Sequence, residues 1–195
     1  MHSIRLLLSR FREKDNILLL KVLRNLSIST YHIENSKCSE EDSVTKYWQN
    51  YIHVITKLFK EVKDEDALLE LVGTVSNLIP SGCINGLPMA HFTEKHAMIP
   101  FIEEYLQQRM ARIDLITELV VLLGELCIDD DMALLIAQSN IIPLIDDQWC
   151  REEDDELILQ LLSTSFRFLL FSTTRDVLFE CPSKLIFRYI QTYIT

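Results

Sequence analysis

The chain has 195 residues, of which 48% are hydrophobic, and it carries a formal net charge of −10. The hydrophobic fraction is enough for a continuous core and argues against disorder throughout. The negative charge argues against nucleic acid or an anionic membrane as a partner.

Helical spacing of apolar residues dominates the first part of the chain. The segment Tyr31–Ser43 has no apolar period and is predicted to be a loop. Pro80 is expected to end the last helix of this part. The predicted helices are Met1–Arg12, Ile17–Ser29, Val44–Val62 and Ala67–Ile79.

The second part of the chain continues the helical pattern and shows no strand alternation. Two helices are predicted to begin at a proline, Pro100 and Pro143, where the missing N–H is tolerated. No apolar run approaches the roughly 18 residues that span a membrane, so we expect no membrane insertion. The predicted helices are Pro88–His96, Phe101–Arg109, Leu115–Cys127, a short one before Ser139, one begun at Pro143, Leu157–Phe171, a short one ending at Phe179, and Pro182–Ile194.

Four long helices can be aligned on Asn25, Asn77, Glu125 and Phe168, roughly 52, 48 and 43 residues apart. Periods of about 40–47 residues are typical of HEAT and armadillo repeats. A second marker, Ile-Pro at Pro100 and at Pro143, has the same spacing as the last of these intervals. Three further columns are then apolar in all four copies: Leu26, Leu78, Leu126, Leu169; Leu23, Val75, Leu123, Phe166; and Leu19, Leu71, Leu119, Leu162.

The repeat predicts an all-α fold without a β-sheet, namely an armadillo-type, right-handed superhelical solenoid of roughly four partial repeats. We expect residues 1–195 to form a single array, with repeats ending near residues 29, 81, 129 and 172. The extra residues in the intervals of roughly 52 and 48 residues would lie in the loops 31–43 and 80–90. A non-repeating helical bundle is the alternative.

The third helices of such a repeat line the inner surface of the superhelix, so their non-core positions face a ligand. The carboxamides of Asn25 and Asn77 can bond the backbone of an extended peptide there. They can equally bond the backbone of a neighbouring repeat, and the sequence leaves both open. The predicted protein-binding groove consists of Lys21, Asn25, Asn77, Val121, Glu125, Thr164 and Phe168.

Acidic residues form four clusters, and three of them immediately precede a predicted helix. Carboxylates in that position accept hydrogen bonds from free N–H groups and interact favourably with the helix dipole. The functional alternative is an acidic edge that steers a basic partner. The clusters are Glu40–Asp42, Asp64–Asp66, Asp129–Asp131 and Glu152–Glu156.

No motif for catalysis or for a cofactor is found. His91, His96 and Cys83 are near one another in sequence, but their spacing fits no strong zinc pattern. Acidic pairs lie at polar corners and not in a recognisable cleft. The 5 cysteines are scattered and odd in number, which is typical of reduced thiols. We therefore expect no catalytic residue, no cofactor, no metal and no enzymatic activity.

Several segments resemble the kinesin-associated protein family. Leu23–Ser27 (LRNLS) and Leu71–Leu78 (LVGTVSNL) are similar to its repeat ends. Asp129–Pro143 (DDDMALLIAQSNIIP) is similar to its DDSCAALLAKSGIIP segment. Glu153–Glu156 and Thr174–Val177 match its EDDE and TRDV. The order is kept, and the resemblance covers nearly the whole chain, matching the C-terminal armadillo region of the family.

There are two departures from the family pattern. Asn140 stands where the family has a glycine, and asparagine also tolerates a left-handed conformation. The helix after Pro143 is more polar than in the family. We expect the chain to be a fragment of a longer solenoid, and exposed apolar ends would then drive self-association.

The resemblance implies a kinesin accessory subunit that holds motor-subunit tails and links them to cargo adaptor proteins in microtubule-based transport. It also implies a cytoplasmic, cytoskeleton-associated location, including the cilium or flagellum. The alternatives are another armadillo adaptor, of the import or junction type, and a helical regulatory subunit of an enzyme complex.

Overall fold

The structure, a computed structural model, describes residues 17–34, 55–56, 58–59, 61–79, 89–95, 97–108, 112–149 and 154–181. These ranges contain nine α-helices and no strand, which confirms the all-helical prediction. The helices are α1 (Ile17–Glu34), α2 (Glu65–Leu78), α3 (Met89–Lys95), α4 (Met98–Gln107), α5 (Ile113–Leu126), α6 (Asp130–Ala137), α7 (Ile141–Trp149), α8 (Asp155–Leu169) and α9 (Ser172–Glu180).

The chain divides into two compact units, Met1–Gly86 and Leu87–Thr195. In the first unit, α1 packs along α2. Their contact is parallel, because Arg24 and Ser27 of α1 meet residues of α2 in ascending order. The core of this unit contains Leu20, Leu23, Ile55, Phe59, Leu68, Leu71, Val72, Val75 and Leu78.

In the second unit, the helices stack in three layers. The short helices α3, α6 and α9 pack in succession, α4 packs on α7, and the long helix α5 packs on α8. Equivalent helices begin about 42 residues apart, within the period of HEAT and armadillo repeats. Each described helix thus packs on its counterpart in the next triplet, which is consistent with an α-solenoid.

Three helices are capped at their N-termini by an aspartate of an acidic cluster. Asp64 accepts a hydrogen bond from the Ala67 amide at 2.9 Å, and Asp129 accepts one from Met132 at 2.8 Å. Asp154 caps α8 in the same way. These contacts confirm the N-cap interpretation of the clusters, since an aspartate in this position satisfies an amide that has no partner within the helix. The cluster Glu40–Asp42 lies outside the described residues.

The two prolines occupy the same position in their helices. Pro100 is the third residue of α4 and Pro143 the third of α7. The residue after each proline donates the first helical hydrogen bond, to Ala97 and Asn140 respectively. Each proline therefore stands where no backbone donor is needed.

Among the described residues, Ala97 before α4 has a left-handed backbone, whereas Asn140 before α7 does not use the left-handed conformation open to it. Ala97, between α3 and α4, has a φ of 50°, and among the described non-glycine residues it is the one with a positive φ. Near Asn140, two backbone amides are bound by side chains. The backbone N–H of Asn140 donates to Glu103 Oε1 at 2.7 Å, and that of Ile141 donates to Ser139 Oγ at 3.2 Å.

Helix α1 runs to Glu34, so the predicted loop does not begin at Tyr31. No glycine or proline stands between Ile17 and Glu34 to end the helix earlier. Of the predicted helix Val44–Val62, residues 55, 56 and 58 are described and helical. The remaining predictions for residues 1–16, 35–54, 80–88 and 182–195 lie outside the described residues.

Candidate protein-binding surface

The outer face of α1 carries exposed apolar side chains. Leu20, Leu23 and Ser27 form its buried stripe. At about 100° per residue, the opposite face holds Leu18 and Val22, both exposed, together with Lys21 and Asn25, also exposed. Two of the predicted groove residues thus lie on a surface that a partner can contact.

The outer face of α8 is similar in character. Its buried stripe contains Leu157, Leu161 and Phe168. The face opposite this stripe carries three apolar side chains: Leu159, Phe166 and Leu170, with exposed fractions of 57%, 55% and 76%.

A polar seam joins α1 to α2. Arg24 lies 3.7 Å from the carboxylate of Glu70, and Asn77 Nδ2 donates to Ser27 Oγ at 3.1 Å. A Cβ on Gly73 would stand 2.4 Å from Arg24 Cζ, so the guanidinium lies directly over this glycine. The hydrogen bond from Asn77 to Ser27 thus links α2 to α1 through side chains.

A second polar seam joins α5 to α8. Arg167 Nη2 donates to Glu125 Oε1 at 2.7 Å, and Thr164 Oγ1 donates to the Val120 carbonyl at 2.9 Å. Gly124 lies beneath them, since its Cβ would be 2.9 Å from Thr164 Oγ1. Burial raises the pKa of Glu125 from its ordinary value of 4.5, and the charge of Arg167 opposes that rise.

The predicted groove residues of the second unit differ in burial. Val121 and Glu125 are half-buried on α5. Thr164 is buried in the contact with α5. Phe168 is fully buried, with an exposed fraction of 0%. The structure thus places Thr164 and Phe168 in the helix packing, where no partner can contact them.

The burial pattern shows why Phe168 was misplaced. In the sequence alignment, Leu71 and Leu119 shared a column with Leu19 and Leu162. The buried leucines of the first and fourth helices are instead Leu20 and Leu161, one residue away. The first and fourth copies are therefore each displaced by one residue, which turns a helix by about 100°. The corrected columns are Leu26, Asn77, Glu125, Arg167 and, one turn earlier, Val22, Gly73, Val121, Ser163. All of these are exposed or half-buried except Gly73, which is buried.

The family model for kinesin-associated protein (KAP) matches residues 2–187. The chain belongs to the kinesin-associated protein family. No solved structure matches it. Membership in this family indicates an accessory role associated with kinesin.

The segments that resemble the kinesin-associated protein family include core and cap residues. In Asp129–Pro143, Asp129 caps α6, and Met132, Ala133 and Ile136 are buried. These four residues of the segment therefore contribute to the cap and the core. Any binding surface must be sought on the exposed faces beside them.

Leu159, Phe166 and Leu170 were not predicted to be surface residues. Their signal was present, because Leu159, Leu162, Phe166 and Leu169 follow the three- and four-residue spacing of a helical seam. That spacing alone does not tell a core face from an exposed one, and both faces of α8 are apolar.

The two described cysteines are free and buried. Burial raises the pKa of Cys127 to about 12 and that of Cys181 to about 11. Both thiols are therefore protonated near neutral pH, and a protonated thiol is a poor nucleophile and metal ligand.

The described ranges contain neither a candidate membrane span nor a candidate metal site. None of the helices there is long and apolar enough to cross a membrane. No group of three His, Cys, Asp or Glu side chains within the same ranges could hold a metal ion. His91 is exposed on α3, and His96 and Cys83 lie outside the described residues.

Proposed function

We propose that this chain is a protein-binding scaffold that acts as a kinesin accessory subunit. It would hold the tails of motor subunits and link them to cargo adaptor proteins. The observation that carries this proposal is the family match over residues 2–187. The same match favours this role over an import or junction adaptor and over a regulatory subunit of an enzyme complex.

The packing supports a scaffold built on armadillo-type repeats. Successive long helices are held by the contacts of Asn77 with Ser27 in the first unit and of Arg167 with Glu125 in the second. Because these contacts fix the helices, the outward side chains form a surface of defined shape. Binding to such a surface is an equilibrium between free and bound partner and needs no chemical step.

The proposed place of action follows from the partner. An accessory subunit that binds kinesin tails works where the motor moves along microtubules, in the cytoplasm and in the cilium or flagellum.

The direct test is a binding assay with purified tails of the two motor subunits of heterotrimeric kinesin. Retention on the immobilised chain at micromolar concentration is expected, whereas the isolated motor domains should not be retained. A dissociation constant of about 1 μM corresponds to roughly −8 kcal/mol, which a surface of moderate size can supply. Failure to retain either tail would overturn the proposal.

A further inference from the structure

We draw no further inference here: the strongest candidate, the exposed apolar face of α1 made of Leu18, Val22 and Leu26, carries nothing because nothing in the described residues shows what covers it.

Discussion

Arg167 and Glu125 join consecutive long helices through a hydrogen bond of 2.7 Å between Nη2 and Oε1. Both side chains are only partly exposed. Burial penalises the ionised carboxylate, while the guanidinium favours it, and the first effect is the larger. The pair therefore fixes the relative position of α5 and α8 more clearly than it adds stability, as expected for ion pairs that lose part of their hydration.

The raised pKa of Glu125 makes a prediction about pH. The folded chain binds a proton at Glu125 more tightly than the unfolded chain, whose carboxyl has the ordinary pKa of 4.5. Protonation of Glu125 therefore stabilises the fold fully below pH 4.5, and this stabilisation is lost as the pH rises through the folded-state pKa. In Glu125→Gln this proton no longer titrates. We expect the unfolding free energy of the variant, relative to the wild type, to increase from acidic to neutral pH. Urea unfolding at a series of pH values measures this.

A companion variant, Arg167→Met, checks the cause. It removes the charge that lowers the pKa of Glu125, so the loss of stability on raising the pH should become larger. A Glu125→Gln difference that falls with rising pH would show instead that Arg167 outweighs burial.

The helices and their starts were predictable because their signals are local. The capping contact of Asp129 involves an amide three residues away, and the tolerance of Pro143 depends only on its place in the first turn. Such features are read from a few neighbouring residues. The family resemblance rested on the same segments, and the match over residues 2–187 confirms it.

The register of the repeat was not predictable at two of the four long helices, because they contain adjacent leucines. Leu19 and Leu20 fit the same column equally well, as do Leu161 and Leu162, and only burial separates them. The choice decides which phenylalanine faces outward. Phe168 was predicted to face a ligand and is buried, while Phe166 was placed in a shared apolar column and is exposed.

Thr164 should contribute more to the free energy of unfolding than an exposed threonine does. Its hydroxyl donates to the Val120 carbonyl of the neighbouring helix at 2.9 Å from a buried position. Thr164→Val keeps the shape and removes this bond, so the unfolding free energy should fall by about 1 kcal/mol. The midpoint of urea unfolding at constant slope measures the change.

Thr117 provides the matched control on α5. Its hydroxyl donates at 2.8 Å to Ile113 of its own helix from an exposed contact. Thr117→Val should change the stability by less than about 0.5 kcal/mol, as is usual for surface substitutions. Equal losses in the two variants would mean that the bond between helices has no special weight.

Asn77 and Asn25 should differ in the same kind of measurement. Asn77 Nδ2 donates to Ser27 Oγ across the first polar seam, so Asn77→Ala should lower the unfolding free energy by about 1 kcal/mol. Asn25 is exposed on the outer face of α1. If Asn25 contacts a kinesin tail, Asn25→Ala should weaken binding of the tail and leave the midpoint of urea unfolding nearly unchanged. A large drop in helicity for Asn25→Ala would assign it to packing instead.

Gly124 should resist replacement by alanine more than Gly73 does. The new Cβ would lie 2.9 Å from Thr164 Oγ1, and this short β-branched side chain cannot retract without losing its bond to Val120. At Gly73 the obstacle is the end of the flexible Arg24 side chain, which can swing away. We expect Gly124→Ala to lower the unfolding free energy by about 1–3 kcal/mol and Gly73→Ala to be nearly neutral, because its better helix propensity offsets the lost contact.

A double variant tests whether the obstacle at Gly124 is Thr164 itself. Thr164→Ala removes the atom that the new Cβ would meet, so Gly124→Ala/Thr164→Ala should lose clearly less stability than the sum of the two single variants. If the two losses simply add, the close approach of α8 to Gly124 does not explain the glycine. The double variant would then be as unstable as two independent defects, and the midpoint of urea unfolding would show it directly.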